Sequence, residues 1–160
     1  MAIKPMDFTI QKAKIRDIKA IYALLNHYGE QGEILPRSLS ELYDHIRDFF
    51  VCVDEKNDAQ LLGICAMHIC WEDIAEVRSL AVLPQYQRKK LGSKLVEACL
   101  SEAVMLGIYK IFVLTYKPKF FEKLGFKQVD KAVLPHKIWA DCIKCVKFPD
   151  CNEIAMALNL

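Results

Sequence analysis

The chain has 160 residues, of which 53% are hydrophobic, and its 22 basic residues nearly balance 20 acidic ones. This length and apolar content suit one domain with a single core, which we expect to span residues 1–160. A net charge of +2 excludes nucleic acid as the expected partner. No apolar run approaches the roughly 18 residues of a membrane span, and the N-terminus does not resemble a signal peptide. We therefore expect no membrane partner and a cytoplasmic location.

The first half of the chain predicts a strand, two helices and a hairpin. Residues 8–13 form the first strand, and residues 49–54 and 61–69 form two hairpin strands around a polar turn. Between them, Ser38 and Glu41 have the spacing of a capping box, which predicts the start of the second helix. The apolar positions that the two helices would bury are Ile18, Ile21, Tyr22, Leu25 and Tyr28, then Leu39, Leu42, Tyr43 and Ile46.

The central segment, residues 74–107, predicts a strand, a basic loop and a helix. The strand covers residues 75–82 and stops before Pro84, because proline cannot extend a ladder. Apolar residues then recur at helical spacing until Gly107, which supplies the left-handed residue that commonly ends a helix. The two apolar rows of this helix are Leu91, Leu95, Cys99 and Ala103, and Val96, Leu100 and Val104.

The remaining elements complete a mixed α/β fold. Residues 110–115 read as a buried strand, 118–125 as a short helix, and 127–129 and 153–158 as closing strands. This order predicts a mixed, mostly antiparallel sheet flanked by helices on both faces.

The basic loop leads directly into a helix N-terminus, where backbone N–H groups are unpaired and carry partial positive charge. Such a loop can bind phosphate oxygens, and the cations Arg88, Lys89 and Lys90 would strengthen the attraction. Gly92 would let a ligand approach the backbone closely. A solvated basic turn is the alternative interpretation of the same residues.

Two motifs resemble those of the GCN5-related N-acetyltransferase (GNAT) family. Residues 87–92, Gln-Arg-Lys-Lys-Leu-Gly, are similar to its acetyl-CoA loop, except that Lys90 stands where the family usually has glycine. Residues 120–126, Phe-Phe-Glu-Lys-Leu-Gly-Phe, resemble its marker beside the pantetheine arm. The resemblance implies acetyl-CoA as cosubstrate. The cofactor-binding residues would be Leu80, Ala81, Val82, Gln87, Arg88, Lys89, Lys90, Leu91, Gly92, Ser93, Phe120 and Phe121.

Within this family the chain is most similar to short bacterial amino-acid N-acetyltransferases of the N-acetylglutamate synthase type. Residues 35–38, 75–82, 114–116 and 139–151 carry this likeness. It implies acetylation of the α-amino group of a free amino acid, most of all L-glutamate, as the first step of arginine biosynthesis. Dimers are common in this fold, so a homodimer is compatible with the resemblance by analogy alone. Two alternatives stay open: another small amine or a protein N-terminus as acceptor, and a CoA-binding regulator without turnover.

Acetyl transfer to an amine requires a base that removes the ammonium proton. Glu76 is the candidate, because the family often places a catalytic glutamate on this strand, and strand alternation puts Arg78 on the same side. A Glu76–Arg78 pair without a catalytic part is the alternative. The oxyanion would meet a backbone N–H near Ala81 or Val82.

The proton donor to the leaving thiolate is a departure from the family. Many members use a tyrosine where this chain has Phe121, so Tyr116 or a water would replace it. A thiol with a pKa of about 8.5 also leaves acceptably without full protonation.

The carboxylates of a glutamate acceptor would need cationic partners in a closed site. Arg37 and Arg78 are the leading candidates and Lys117 follows, because the guanidinium fork can bind both carboxylate oxygens.

The C-terminal region contains a possible metal-ligand set. His136, Cys142, Cys145 and Cys151 have a spacing that could bind zinc. Free cysteines are also ordinary core residues, and an odd total of seven cysteines argues against a secreted disulfide framework. We expect structural thiols and no metal, with the zinc site as the alternative.

Overall fold

The computed structural model describes residues 7–32, 34, 36–57, 59–134 and 153–160. The four helices in these ranges are α1 (Ile18–Glu30), α2 (Leu39–Asp44), α3 (Leu91–Met105) and α4 (Pro118–Glu122). The strands are β1 (Phe8–Lys12), β2 (Phe49–Asp54), β3 (Gln60–Trp71), β4 (Ile74–Val82), β5 (Lys110–Thr115), β6 (Lys127–Gln128) and β7 (Ile154–Asn159).

The seven strands hydrogen-bond in the order β1-β2-β3-β4-β5-β7-β6, and the pair β4–β5 is parallel. The predicted mixed α/β class with a mostly antiparallel sheet is therefore confirmed. The described residues divide into two compact units, one from 1–66 and Ser79–Cys99 and one from Met67–Arg78 and Leu100–Leu160. No helix in the described ranges has both the length and the apolar content needed to cross a membrane.

The first unit is built around α1 and the antiparallel strands β1, β2 and β3. Phe8 pairs with Asp54 across β1 and β2, and Phe49 pairs with Ala66 across β2 and β3. The apolar face of α1 packs on this sheet because its buried positions recur at helical spacing. They are Ile18, Ile21, Leu24, Leu25 and Tyr28.

Gly63 in β3 is closely packed against β4 and α3. A Cβ atom at this position would lie 3.1 Å from the carbonyl oxygen of Ala81 and 3.1 Å from Cδ1 of Leu95. These distances are shorter than ordinary van der Waals contacts, so the absence of a side chain at Gly63 lets β4 and α3 approach β3.

The second unit contains β5, β7 and β6 together with the first residues of β4. β4 pairs with β5 only over Ile74–Glu76, whereas β5 pairs with β7 along its whole length. A small core of Cys70, Phe112, Leu134 and Ala155 lies within this unit.

The second helix begins as predicted but buries fewer residues than predicted. Ser38 caps α2 as predicted, since its Oγ accepts from the Glu41 N–H at 3.1 Å. However, α2 has only six residues, so Leu42 alone is buried while Leu39 and Tyr43 are exposed. Ile46 lies beyond α2, in the 3-10 turn Ile46–Asp48.

The second apolar row of α3 also differs from the prediction. Val96 is buried, Leu100 is half-buried and Val104 is 43% exposed. Each step of four residues rotates a side chain by about 40° around a helix of 3.6 residues per turn. The row therefore turns gradually away from the core, and Val104 reaches solvent.

Candidate active site

Strand β4 places the predicted base and a predicted substrate cation side by side. Nη1 of Arg78 lies 3.6 Å from Oε1 of Glu76, and the two side chains are only 12% and 13% exposed. Both side chains lie on one face because they are two residues apart on an extended strand. The pair is thus a mostly desolvated carboxylate and guanidinium in contact.

The residue after this pair, Ser79, has an irregular backbone within the strand. Ser79 has a φ of +56°, which is a left-handed conformation and not an extended one. Beyond it, Ala81 is buried, and Leu80 and Val82 are half-buried. Simple alternation along the strand therefore holds from Glu76 to Arg78 and does not continue through Ser79. Residue type did not predict this conformation, since serine is not a residue that favours positive φ.

The basic loop has the backbone geometry of an anion-binding nest. Arg88 and Lys90 both have a φ of +64°, and Lys89 between them does not have positive φ. Left-handed residues that alternate with right-handed ones turn successive N–H groups toward a common point. Lys90 thus adopts the conformation for which the family's glycine is suited.

This loop runs directly into helix α3. The carbonyl of Lys90 accepts from the Lys94 N–H at 3.1 Å, so Lys90 occupies the N-cap position. The N–H groups of Leu91, Gly92 and Ser93 belong to the first turn, where no intrahelical carbonyl is available. Nest, helix start and three exposed cations together form a site suited to phosphate groups.

The Gln87 side chain hydrogen-bonds to other residues of the chain. Its Nε2 donates to the Tyr28 hydroxyl at 2.6 Å and also lies 3.4 Å from the Val82 carbonyl oxygen. The Tyr28 hydroxyl in turn donates to the same Val82 carbonyl. Sequence analysis assigned Tyr28 only to the core. A tyrosine on the buried face of a helix is nevertheless a signal, because a buried hydroxyl usually has a polar partner.

The other predicted substrate cations lie just before helices. Arg37 precedes the α2 cap, and its Nη1 is 3.5 Å from Oε2 of Glu41. Lys117 precedes α4, and its side chain is exposed while its backbone N–H donates to Thr115 Oγ1 at 2.9 Å. Arg37 belongs to the first unit, whereas Arg78 and Lys117 belong to the second.

The aromatic marker at α4 contributes to packing. Phe121 is buried and makes edge-to-face contacts with Phe120 and Phe126, with ring centroids 5.0 and 5.3 Å apart. Phe120 is half-buried, and Tyr116 is 38% exposed.

Four cysteines in the described ranges, Cys52, Cys65, Cys70 and Cys99, are free and buried, as structural thiols would be. Burial, with the Asp54 carboxylate nearby, raises the pKa of the Cys52 thiol to about 11. A hydrogen bond with Cys99 and burial also raise the pKa of Cys65 well above its usual value. The possible zinc set, His136, Cys142, Cys145 and Cys151, lies outside the described residues.

Comparison with known proteins gives the family. Residues 45–128 match the model of the acetyltransferase (GNAT) domain. The chain is 41% identical to an uncharacterized N-acetyltransferase of Chlorobaculum tepidum, over 96% of this chain and 97% of that one. It is 30% identical to the amino-acid acetyltransferase of Mycobacterium tuberculosis, over 81% of this chain and 75% of that one.

A solved structure gives the same result. N-acetylglutamate synthase from Neisseria gonorrhoeae, complexed with coenzyme A and N-acetyl-glutamate, matches with a TM-score of 0.86 at 28% identity. The match covers 98% of this chain and 36% of that one. The chain therefore belongs to the GNAT acetyltransferase family. It is an N-acetyltransferase, and acetyl-CoA is its cosubstrate.

Proposed function

We propose that this chain transfers the acetyl group of acetyl-CoA to the α-amino group of L-glutamate, the reaction that opens arginine biosynthesis, in the cytoplasm. The observation that carries the proposal is the mostly buried Glu76–Arg78 pair on β4. It combines a carboxylate that can accept the proton of the amine with a guanidinium that suits a carboxylate. The names of the M. tuberculosis and N. gonorrhoeae relatives support an amino acid as acceptor.

The cosubstrate is held first at its phosphates. The N–H groups of the nest at Arg88 and Lys90 and of the first turn of α3 bind the diphosphate, and the cations around them add charge attraction. Leu80, Ala81 and Val82 hold the pantetheine arm through their backbone groups. This arrangement brings the thioester toward the part of β4 that follows Glu76.

The chemical step begins when Glu76 takes a proton from the ammonium group of the acceptor, directly or through a water. The amine nitrogen then attacks the thioester carbonyl carbon, and a backbone N–H near Ala81 or Val82 stabilises the oxyanion. The C–S bond breaks as the amide forms, and the attacking nitrogen loses its second proton to water. The CoA thiolate receives its proton from water or from Tyr116, because Phe121 has no hydroxyl to donate.

Recognition of glutamate depends on the cations. Arg78 has five N–H donors, so its guanidinium can contact Glu76 and a substrate carboxylate together. Arg37 and Lys117 are the candidates for the second carboxylate. Arg37 would have to exchange its contact with Glu41 for the substrate, and that contact, with Glu41 half-exposed, is a weak one.

A second candidate function has one observation in its favour. Both arginines already contact a carboxylate of their own chain, Arg37 with Glu41 and Arg78 with Glu76. If these contacts persist when substrate is bound, the acceptor is a small amine without carboxylates or a protein N-terminus.

The test is CoA release with acetyl-CoA and each common amino acid, a set of small amines without carboxylates, or a peptide with a free N-terminus, for wild type, Arg78→Ala and Arg37→Ala. We expect turnover selective for glutamate and a KM for glutamate about 10- to 100-fold higher in each variant, because each loses a charged hydrogen bond. Arg47→Ala is the matched control, since Arg47 is an exposed arginine outside the proposed site. Turnover with a non-acidic amine and unchanged KM values in both variants would support the second candidate. Acetyl-CoA binding without CoA release from any amine would contradict both and indicate a regulator.

A further inference from the structure

We infer that Tyr28 is a positioning residue for the phosphate-binding loop and acts on the cofactor through Gln87. Tyr28 lies in the last turn of α1 and is 6% exposed. Its hydroxyl accepts from Gln87 Nε2 at 2.6 Å and donates to the carbonyl of Val82, the last residue of β4. A single buried hydroxyl thus joins α1, the end of β4 and the start of the loop.

The position of Gln87 explains why this contact matters. Gln87 has extended backbone geometry and immediately precedes Arg88, the first left-handed residue of the nest. Side chains with a Cβ disfavour this conformation, and it persists where surrounding contacts fix it. The Gln87 backbone N–H donates to the Pro84 carbonyl at 3.3 Å, and its side chain is held by Tyr28 and Val82. The residue is therefore held through both its backbone and its side chain.

Because of the Tyr28–Gln87 contact, Gln87 and the cations that follow it have different roles. The amide of Gln87 faces the protein and fastens the loop, while the exposed cations Arg88, Lys89 and Lys90 face solvent. Loss of the Tyr28 hydroxyl leaves these cations in place but leaves the Gln87 amide only its longer contact with the Val82 carbonyl, at 3.4 Å. The nest N–H groups then spend less time converging on one point, and phosphate binding weakens although no charge is lost.

This inference rests on the proposed placement of the cofactor's diphosphate at the nest. It predicts that Tyr28→Phe weakens CoA binding about five- to tenfold, the range expected for one lost hydrogen bond. Pantetheine carries no diphosphate, so its affinity should not change. A tyrosine that only stabilised the fold would not separate the two ligands in this way.

The experiment is calorimetric titration of CoA, and titration of pantetheine followed by NMR, for wild type, Tyr28→Phe, Gln87→Leu and the double variant. Tyr22→Phe is the matched control, since Tyr22 is a half-buried tyrosine on the same helix. We expect Tyr28→Phe and Gln87→Leu to weaken CoA binding to a similar degree and the double variant to be no weaker than either, because the two side chains act as one unit.

Three results would overturn the inference. They are an unchanged CoA affinity in Tyr28→Phe, an equal loss of pantetheine affinity, and additive losses in the double variant. Additive losses would mean that Gln87 contacts the cofactor independently. If Tyr28→Phe folds poorly, Gln87→Leu still tests the inference, because Gln87 is exposed and its replacement should not disturb the core. The titrations need no acceptor amine, so a failure of the glutamate proposal leaves their outcome unaffected.

Discussion

The guanidinium of Arg78 and the carboxylate of Glu76 lie 3.6 Å apart, Nη1 to Oε1, on the same face of β4. Side chains exposed by only 12% and 13% have lost most of their contact with water. Breaking such a pair leaves an uncompensated charge, which costs far more than breaking a surface ion pair. Changes at either residue are therefore expected to lower the free energy of unfolding as well as the activity.

Replacing Glu76 by glutamine keeps the shape and removes the base. We expect kcat to fall about 100- to 10,000-fold, the usual contribution of a positioned general base, while CoA affinity changes little. The residual rate should rise steeply with pH, because the acceptor amine must then lose its proton to solvent. Steady-state kinetics from pH 6 to 10 measures both effects.

The matched control for this variant is Glu72→Gln, an exposed glutamate in the turn before β4. Its rate should equal that of wild type at every pH. A near-normal kcat in Glu76→Gln would mean that Glu76 is not the general base and that the Glu76–Arg78 pair has a structural role only.

The left-handed backbone at Lys90 makes a prediction about stability. Glycine adopts a φ of +64° without the strain of a side chain, which is about 1 kcal/mol or more for other residues. Lys89→Gly relieves no such strain, because Lys89 does not have positive φ. It should lower the free energy of unfolding, because glycine gives the unfolded chain more freedom. We expect Lys90→Gly to be more stable than Lys89→Gly by about 1 kcal/mol in urea unfolding.

These two variants are also controls for one another in cofactor binding. Each removes one cation from the same loop, so the loss of CoA affinity that comes from charge alone should be similar.

The stability prediction has its own contradicting outcome. Equal free energies of unfolding for Lys90→Gly and Lys89→Gly would mean that Lys90 is not strained.

Close packing at Gly63 predicts a cost for any side chain. We expect Gly63→Ala to lower the free energy of unfolding by about 1–3 kcal/mol, because the new Cβ overlaps Ala81 and Leu95. Gly107→Ala is the comparison: its φ is +82° and no atom lies within 4 Å of the added Cβ. Its cost should be about 1 kcal/mol and come from the backbone alone.

Shortening Leu95 distinguishes the two causes. Adding Leu95→Val should recover part of the loss in Gly63→Ala and none in Gly107→Ala, as a double-mutant cycle would measure. If Leu95→Val has the same interaction free energy with Gly63→Ala as with Gly107→Ala, contact with Leu95 is not the cause of the cost at Gly63.

The Cys52 thiol makes the stability depend on alkaline pH. Its pKa rises from 9.0 to about 11 on folding, so the folded protein holds this proton more tightly than the unfolded chain. The resulting stabilisation is fully present below pH 9 and is lost as the pH rises toward 11. The difference in unfolding free energy between wild type and Cys52→Ala should therefore narrow between these values. Parallel curves from pH 8 to 11 would show that Cys52 titrates normally.

Local patterns predicted most of the secondary structure. The Ser38 cap, the strand before Pro84 and the left-handed Gly107 all depend on residues within one turn of each other. Burial was harder to predict, because it depends on how long a helix remains against its sheet. Leu39, Tyr43 and Val104 fit an apolar pattern and nevertheless lie exposed.

The amino-acid sequence by itself determined the order of strands and helices, the family's two motifs and the proximity of Glu76 to Arg78, since a strand fixes which neighbours share a face. Only the tertiary structure decided that Lys90 takes a left-handed backbone and that Gln87 turns inward to Tyr28, 59 residues away in sequence. The physical reason is that a buried polar group such as the Tyr28 hydroxyl needs a hydrogen-bond partner, and this partner can come from a distant part of the sequence. Local preference disfavours a positive φ at lysine, so residue type alone did not predict the backbone at Lys90.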